Sequence, residues 1–456
     1  MNFKRHASPN RRGVEGLKVA LLALAALALP ACEEDINDDS AVPAVTRRVS
    51  VSVTGEEANR DSDFPDISAD GRYVVFQSQA GNLVPGDSNG KFDIFRKDLV
   101  TGAVVMVSTT EAGAPGDGDS TNASISADGR FVAFQTLAAN LDPGDTDPDD
   151  GLDVYVKDLD SGAVTHVSQS AFGGPPAGTS VESRNPRLSP GGRFLVFVST
   201  GEDLDIDVPN LFGDPEVFLR DLETGETFLV SRDAFGDAVG GACENPSVSD
   251  DGRFVVYQTG VAILPGDAQS DVDIYLRDRQ LGINERVSTG FAADPDGNSL
   301  EPRITPDGRF VIFSSEAPDL IDGDLNGQED VFIRDRQAPA STRCVSLGLA
   351  AAPGAGQSRT GVLTPDGRFA AFRSAAPNLV AGDTNGTEDY FWRDLERGST
   401  RRVTVRTGGA QTVGNGGGPP GITSDGRYVV FVSDASDLTI GDSNAETDVY
   451  VRGPLH

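Results

Sequence analysis

Histidine is scarce in this chain, and its scarcity excludes most hydrolytic chemistry at the outset. His6, His166 and His456 are the only three. A Ser-His-Asp or Cys-His centre needs a histidine poised at its nucleophile. His6 lies in a basic N-terminal segment and His456 is the last residue, while His166 falls in "AVTHVS", which reads as a peripheral, partly exposed strand. Zinc is excluded as well, because no His/Cys cluster is present to hold it. Cysteine is nearly as rare. Beyond Cys32 only Cys243 and Cys344 remain, too few for a disulfide scaffold, and whether they pair is open. Positive charge is short too: 38 Lys and Arg stand against 70 Asp and Glu, a formal charge of −32. Residues 1–18 carry five basic residues and Glu15, a net of +4, which leaves the rest at −36 (−32 − 4). Such a surface repels nucleic acid phosphates and anionic lipid heads and suits cations or basic protein surfaces.

Long apolar runs are absent apart from "VALLALAALAL", Val19 to Leu29. Those residues make about 16 Å of helix, roughly half a bilayer core, so they predict a secretory leader over 1–31 instead of a mature membrane span. The leader ends in "LPAC", Leu29 to Cys32, which resembles the lipobox of bacterial lipoproteins. That resemblance implies cleavage before Cys32 and acylation of its thiol. The alternative is ordinary signal cleavage near Ala31, leaving Cys32 a free thiol. The acidic "EEDINDDSAVPAV" that follows Cys32 predicts a disordered tether over 32–44.

What the chain has in abundance is repetition. Asp-Gly-Arg occurs at Asp70, Asp128, Asp251, Asp307, Asp366 and Asp425, and "PGGR" at Pro190 fills the single gap. The glycines Gly71, Gly129, Gly192, Gly252, Gly308, Gly367 and Gly426 are spaced by 58, 63, 60, 56, 59 and 59 residues. Each copy has a short piece before the turn, then a run such as "RYVVFQS" or "RFVIFSS". An acidic loop follows, then a third run such as "DIFRKD" or "DVYVKD", and a turn into a fourth such as "TFLVS". Rich in Val, Ile and aromatics and bounded by turn residues, these runs predict strands. Nothing between copies has helical periodicity. Four antiparallel strands repeated radially predict an all-β, seven-bladed propeller over 45–456. The last copy stops after its third strand, and "VTRRVSVSV" from Val45 matches the fourth-strand pattern "STRRVTV" from Ser399, so the N-terminal strand is expected to complete the seventh blade. Closure of this kind removes two edges that an open solenoid would have to cap.

The repeated "S-x-D-G-R-(Y/F)-(V/I)-x-F", followed by "D-(V/I)-(Y/F)-x-(R/K)-D", resembles the TolB-type, WD-repeat-like propeller repeats of bacterial envelope proteins, over about residues 45 to 453. The resemblance implies the propeller fold and an envelope setting. TolB itself carries an additional N-terminal α/β domain and no lipid anchor. Here the tether leads straight into blade strands, so TolB's translocation role does not carry over.

Two sets of polar residues are candidates for binding. The acidic loops repeat Asp-x-Asn-x-x-x-Asp as Asp87, Asn89, Asp93; Asp324, Asn326, Asp330; Asp383, Asn385, Asp389; and Asp442, Asn444, Asp448; a more acidic copy has Asp145, Asp147, Asp149 and Asp153. Calcium takes six to eight oxygens from such groups. Each loop also reads as a plain turn in which Asp and Asn fold back on their own backbone, and none has the closing Glu of an EF-hand. The second set lies in the loops entering the innermost strands, where propeller ligands bind: Asp63, Asn122, Arg184, Asn185, Glu244, Asn245, Glu301 and Arg359. These differ from copy to copy, which is where specificity can reside. The glycine runs near Gly356 and Gly416 join no strand to a helix and are loops, not phosphate cradles. The Asp-box of sialidases is missing, since the only tryptophan is Trp392 and glycine directly follows Asp70.

The sequence thus predicts a monomeric envelope lipoprotein that binds an envelope protein or a glycan without catalysis. It predicts no nucleic acid partner, membrane contact through the lipid alone, and no cofactor other than calcium in the acidic loops. The alternative is a glycan hydrolase or lyase working through channel carboxylates such as Glu244 or Glu301.

Overall fold

The computed structural model describes residues 43–142, 151–178, 181–265, 271–290, 295–337 and 339–456. Cys32, the 1–31 leader, and Asp145, Asp147 and Asp149 lie outside the described residues. Among the described residues no helix is long and apolar enough to cross a membrane.

The strands form seven four-stranded antiparallel sheets. Blade 1 comprises Ser62–Ile67, Tyr73–Ser78, Asp93–Asp98 and Val104–Met106, from the innermost strand outward. Blades 2 to 6 repeat that order, with innermost strands Ser120–Ile125, Ser183–Leu188, Cys243–Val248, Ser299–Ile304 and Ser358–Leu363. Blade 7 contains Gly421–Ile422, Val429–Ser433 and Asp448–Gly453, and Val45–Arg48 supplies its outermost strand. That strand runs antiparallel to Asp448–Gly453, with Val45 opposite Gly453 and Arg48 opposite Tyr450. The expected closure of the ring by the N-terminal strand is therefore present. Neighbouring innermost strands touch all the way around and enclose a central channel.

The middle strands explain why the sequence shows continuous apolar runs and not clean alternation. Every residue of Phe310–Ser315 and of Phe369–Ser374 is buried, because each blade is covered on both faces by its neighbours. The core is accordingly divided among the blade interfaces. Val74, Phe76 and Phe95 of blade 1 pack with Val430, Val432 and Val449 of blade 7, while Val75 and Ile94 face the other way, onto Val132, Phe134 and Tyr155 of blade 2. Full burial of one such side chain stabilises by about 1.5–3 kcal/mol. A single blade would leave both faces wet, so the ring has to form as a whole.

The repeated turn is a self-contained unit that also sets the spacing between blades. Ser68 Oγ donates to Asp70 Oδ1 at 2.7 Å, Arg72 N donates to the same oxygen at 2.9 Å, and Tyr73 N donates to Ser68 Oγ at 2.9 Å. The arginine then reaches the end of the third strand, as Arg72 to Asp98 at 2.8 Å and Arg130 to Asp158 at 2.7 Å. Burial raises the Asp98 carboxyl, but the Arg72 contact and backbone donors outweigh it and hold the group well below the usual range. The glycine is required twice over at Gly129: its φ is +77°, and a Cβ there would sit 2.2 Å from the Tyr73 ring of the preceding blade. The repeated Asp, Gly and Arg are thus structural.

Candidate functional site

The channel is built from the innermost strands, and each of these except blade 7's has an irregularity at the same place. The pairing register slips between Asp63 and Asp66, between Thr121 and Ser124, between Arg184 and Arg187, and likewise in blades 4 to 6. At the slip a non-glycine residue takes left-handed backbone angles: Phe64 (φ +48°), Asn122 (+57°), Asn185 (+56°), Asn245 (+51°), Glu301 (+55°) and Thr360 (+55°). In blade 7 proline stands at the corresponding position, Pro419, and the left-handed angle moves to Gly418 (φ +74°). Residues held this way cost about 1–3 kcal/mol each and persist where surrounding contacts impose them. The bulge turns these side chains toward the axis, where Phe64, Asn122, Asn185, Asn245, Glu301 and Thr360 line a cavity of about 170 Å³.

Side chains from the second strands hold the strained backbone in place. Gln77 Oε1 accepts from Asn122 N at 2.9 Å, Gln135 Oε1 from Asn185 N at 2.9 Å, and Gln258 Oε1 from Glu301 N at 2.8 Å. Each glutamine belongs to the blade before the residue it holds. Blade 5 has Ser314 in place of the glutamine, and there Glu301 Oε2 itself accepts from Thr360 N at 3.0 Å. The lining side chains continue the chain around the axis: Asn122 Nδ2 donates to Asn185 Oδ1 at 2.9 Å.

The sequence candidates divide here into two rows. Asn122, Asn185, Asn245 and Glu301 line the cavity, as expected, though they lie within the innermost strands and not in the loops that enter them. Asp63, Arg184, Glu244 and Arg359 come one residue earlier. Arg184 pairs with Glu244 of the next blade at 2.5 Å, and Arg359 is held by Glu388 at 2.9 Å. Burial pushes the Asp63 carboxyl up to about 6, with Asp61 adding to the shift and Gln77 opposing it.

Sequence reasoning missed the deeper layer. Arg187, Arg303 and Pro419 line the 170 Å³ cavity and also a second one of about 300 Å³, which continues past Asp66, Ser124 and Ser247 toward the opposite mouth. The signal was present as "NPRL" and "EPRI", an arginine two residues after the strained position in copies three and five.

In the acidic loops, Asn89 Nδ2 donates to Asp93 Oδ2 at 2.8 Å and to Gly116 O at 2.9 Å, while its Oδ1 accepts from Lys91 N at 3.0 Å. Asn326 and Asn385 repeat this pattern, and Asn444 donates to Ala58 O and accepts from Glu446 N. The amide oxygen already accepts one backbone N–H within the turn, the contact expected of a turn. Among the described residues no three Asp, Glu, His or Cys side chains gather as a metal site. In two loops an arginine also lies against the carboxylates. Arg48 lies 3.2 Å from Asp442 and 3.3 Å from Asp448, and Arg402 lies 3.6 Å from Asp383 and 3.5 Å from Asp389. Among the described loops these contacts are those of turns.

His166 is buried, not partly exposed as its outer-strand position suggested. Its ring stacks on Tyr155 with centroids 4.5 Å apart, and Nε2 lies 3.0 Å from Asp153 Oδ1 and 3.1 Å from Ser168 Oγ. A catalytic triad needs opposite ring nitrogens for these two partners, and here one nitrogen meets both. Cys243 and Cys344 are separate buried thiols, and burial pushes Cys344 up to about 12, far from a nucleophilic thiolate.

No family model matches the chain, and no curated protein matches it. Solved structures do. An oligogalacturonate lyase in complex with manganese superposes with a TM-score of 0.50 at 14% identity, covering 91% of this chain and 97% of that one. An acylaminoacyl peptidase superposes with a TM-score of 0.50 at 13% identity, covering 86% of this chain and 51% of that one. TolB from Acinetobacter baumannii is similar at 16% identity with a TM-score of 0.37, covering 75% of this chain and 81% of that one. At these identities the likeness shows the fold, and the chain is a seven-bladed β-propeller.

Proposed function

We propose that this chain is an exported propeller of a bacterial envelope, anchored to the outer membrane through acylated Cys32 after removal of 1–31, and that it binds its ligand in the central channel without catalysis. The acidic 32–44 segment serves as the tether. What supports the binding role is the ring of strained residues at one mouth. Six copies of one repeat spend backbone strain on aiming six side chains at the axis, and these are polar or aromatic groups able to meet a ligand there: Asn122, Asn185 and Asn245, with Phe64, Glu301 and Thr360 completing the ring. Strain of this sort is kept where the geometry has a use. The ligand is an envelope protein or a glycan that presents a narrow polar group to that mouth.

Carboxylate chemistry on a glycan is the second reading. It is favoured by one observation: Asp63, raised to about 6, exchanges its proton just below neutral pH beside a channel that also holds Glu301.

The test uses the full lipoprotein expressed in its own cells, crosslinked and purified, alongside an Asn185→Trp variant that fills the mouth. The binding reading expects one saturable envelope component, lost in Asn185→Trp and kept in the remote surface variant Val100→Ser. Shortened or unsaturated saccharide released from envelope glycan, and abolished by Asp63→Asn, would overturn it in favour of catalysis.

A further inference from the structure

The two arginines at the waist of the channel have no hydrogen-bond or ion-pair partner among the described residues, although each offers five N–H donors. The nearby carboxylates accept from backbone N–H groups. Asp66 Oδ1 accepts from Ile67 N at 2.9 Å and Asp66 Oδ2 from Ile125 N at 3.1 Å, while Glu301 Oε2 accepts from Thr360 N. Asp66 and Glu301 therefore act on the guanidiniums as fields across the channel, not as partners.

Both arginines are half-buried and border the two cavities, so small solutes reach them from either mouth. Burial lowers the Arg187 guanidinium to about 9, with repulsion from Arg303 adding to the shift and Asp66 opposing it. Two like charges border the same cavities, near enough to repel, in a molecule whose overall charge is strongly negative. If these residues only filled space, aliphatic side chains would do so without the repulsion. Planar guanidinium forks aimed at one cavity are the arrangement that takes an oxyanion in paired hydrogen bonds.

We infer that Arg187 and Arg303 form an anion site at the waist of the channel, which takes a small oxyanion, either a carboxylate or a phosphate group. Asn122, Asn185 and Asn245 then contact the remainder of the ligand toward the mouth. This inference rests on the channel being the binding end of the molecule, but its test needs neither partner nor lipid.

The test is calorimetric titration of the full chain in detergent with succinate and, separately, with inorganic phosphate, at fixed ionic strength in sodium chloride. Saturable binding of one of them is expected, weakened at least tenfold in Arg187→Gln and in Arg303→Gln. Arg187→Lys, which keeps the charge and loses the fork, is expected to fall between. Succinate binding alone identifies a carboxylate site and phosphate binding alone a phosphate site. Absence of saturable heat for both, or equal affinity in the glutamine variants, overturns the inference. Should those variants fail to fold, crystals of the wild-type chain grown with each anion decide it: an anion between the guanidiniums supports the site, and water alone overturns it. The binding reading itself stands or falls separately, on the envelope component and the Asn185→Trp variant.

Discussion

Blades 1 and 7 carry the same acidic turn and neutralise it differently. In blade 7 the outermost strand places Arg48 opposite Tyr450, and the guanidinium reaches Glu57 at 2.9 Å, Asp442 at 3.2 Å and Asp448 at 3.3 Å. Blade 1 has Met106 at the corresponding position, opposite Phe95, and blade 5 has Cys344, opposite Phe332. There burial pushes Asp93 and Asp330 up to about 6, their Ser and Asn donors only partly offsetting it. In blade 7 three carboxylates share one cation, so burial and mutual repulsion still raise Asp448, to about 7, while Arg48 stays firmly charged. A buried carboxylate pair needs positive charge from somewhere. Blade 7 adds an arginine and still holds a proton on Asp448 up to about pH 7, whereas blades 1 and 5 have no arginine there and take up a proton below about pH 6.

The comparison breaks most visibly if the arginine is removed. Arg48→Met leaves Glu57, Asp442 and Asp448 without their cation at the strand that closes the ring, and a loss of about 3–5 kcal/mol in denaturant unfolding is expected. A loss as small as that of a surface change would mean the guanidinium is incidental.

The proton is tested by pH. Asp93 and Asp330 have folded values above their unfolded ones, so the folded state binds more protons between about pH 4 and 6, and their contribution to stability declines as pH rises through that window. Asp158 is held low, by Arg130 first, and its contribution is lost only as pH falls below about 4. Unfolding free energy should therefore be greater at pH 5 than at pH 7.5, by on the order of 1 kcal/mol for each of Asp93 and Asp330 after allowing for solvent. A flat profile would remove the proton from the account.

Transplanting the arginine should sharpen the contrast. Met106→Arg in blade 1 is expected to reduce the Asp93 part of that pH dependence and leave the parts from Asp330, Asp63, Asp448 and Glu216, so the slope becomes shallower by the share of one carboxyl. An unchanged slope would show that the new guanidinium does not reach Asp93.

The smallest expected effect is that of calcium. Thermal midpoints in excess chelator and in millimolar calcium should agree within about a degree, because the asparagine oxygens already accept backbone N–H groups within the turns. A rise of several degrees, lost in Met106→Arg with Cys344→Arg, would mean that blades 1 and 5 recruit a metal ion in place of a proton.

The architecture was legible in the sequence because the Ser/Thr-x-Asp-Gly-Arg turn performs the same local job in six of the seven copies. Its hydrogen bonds close within six residues, and spacing alone reveals them. The closure was legible for the same reason, since "VTRR" repeats "STRR". The channel was legible only in part. Asn122, Asn185, Asn245 and Glu301 drew notice as polar residues just ahead of the repeated turn, whereas Arg187 and Arg303 looked like ordinary strand arginines. What makes those two central is the convergence of seven innermost strands, and no periodicity along the chain encodes which residue of a bulged strand points inward. His166 misled for a related reason. Its strand is outermost within its own sheet, but its ring lies against Tyr155, and that contact is invisible in the linear pattern.

The closing strand also decides how the molecule answers to force. Any load carried by the segment before Val45 enters at the free edge of blade 7, beside Gly453, where it separates strand pairs in succession and does not shear them together. Peeling from that end meets Thr46 and Arg47 before it reaches Arg48 and its three carboxylates. A pull from that end has first to break the buried hydrogen bonds that Thr46 Oγ1 donates to Val405 O and accepts from Arg452 Nη1, and the ring opens only when it is strong enough to draw a guanidinium out of its ion cluster as well.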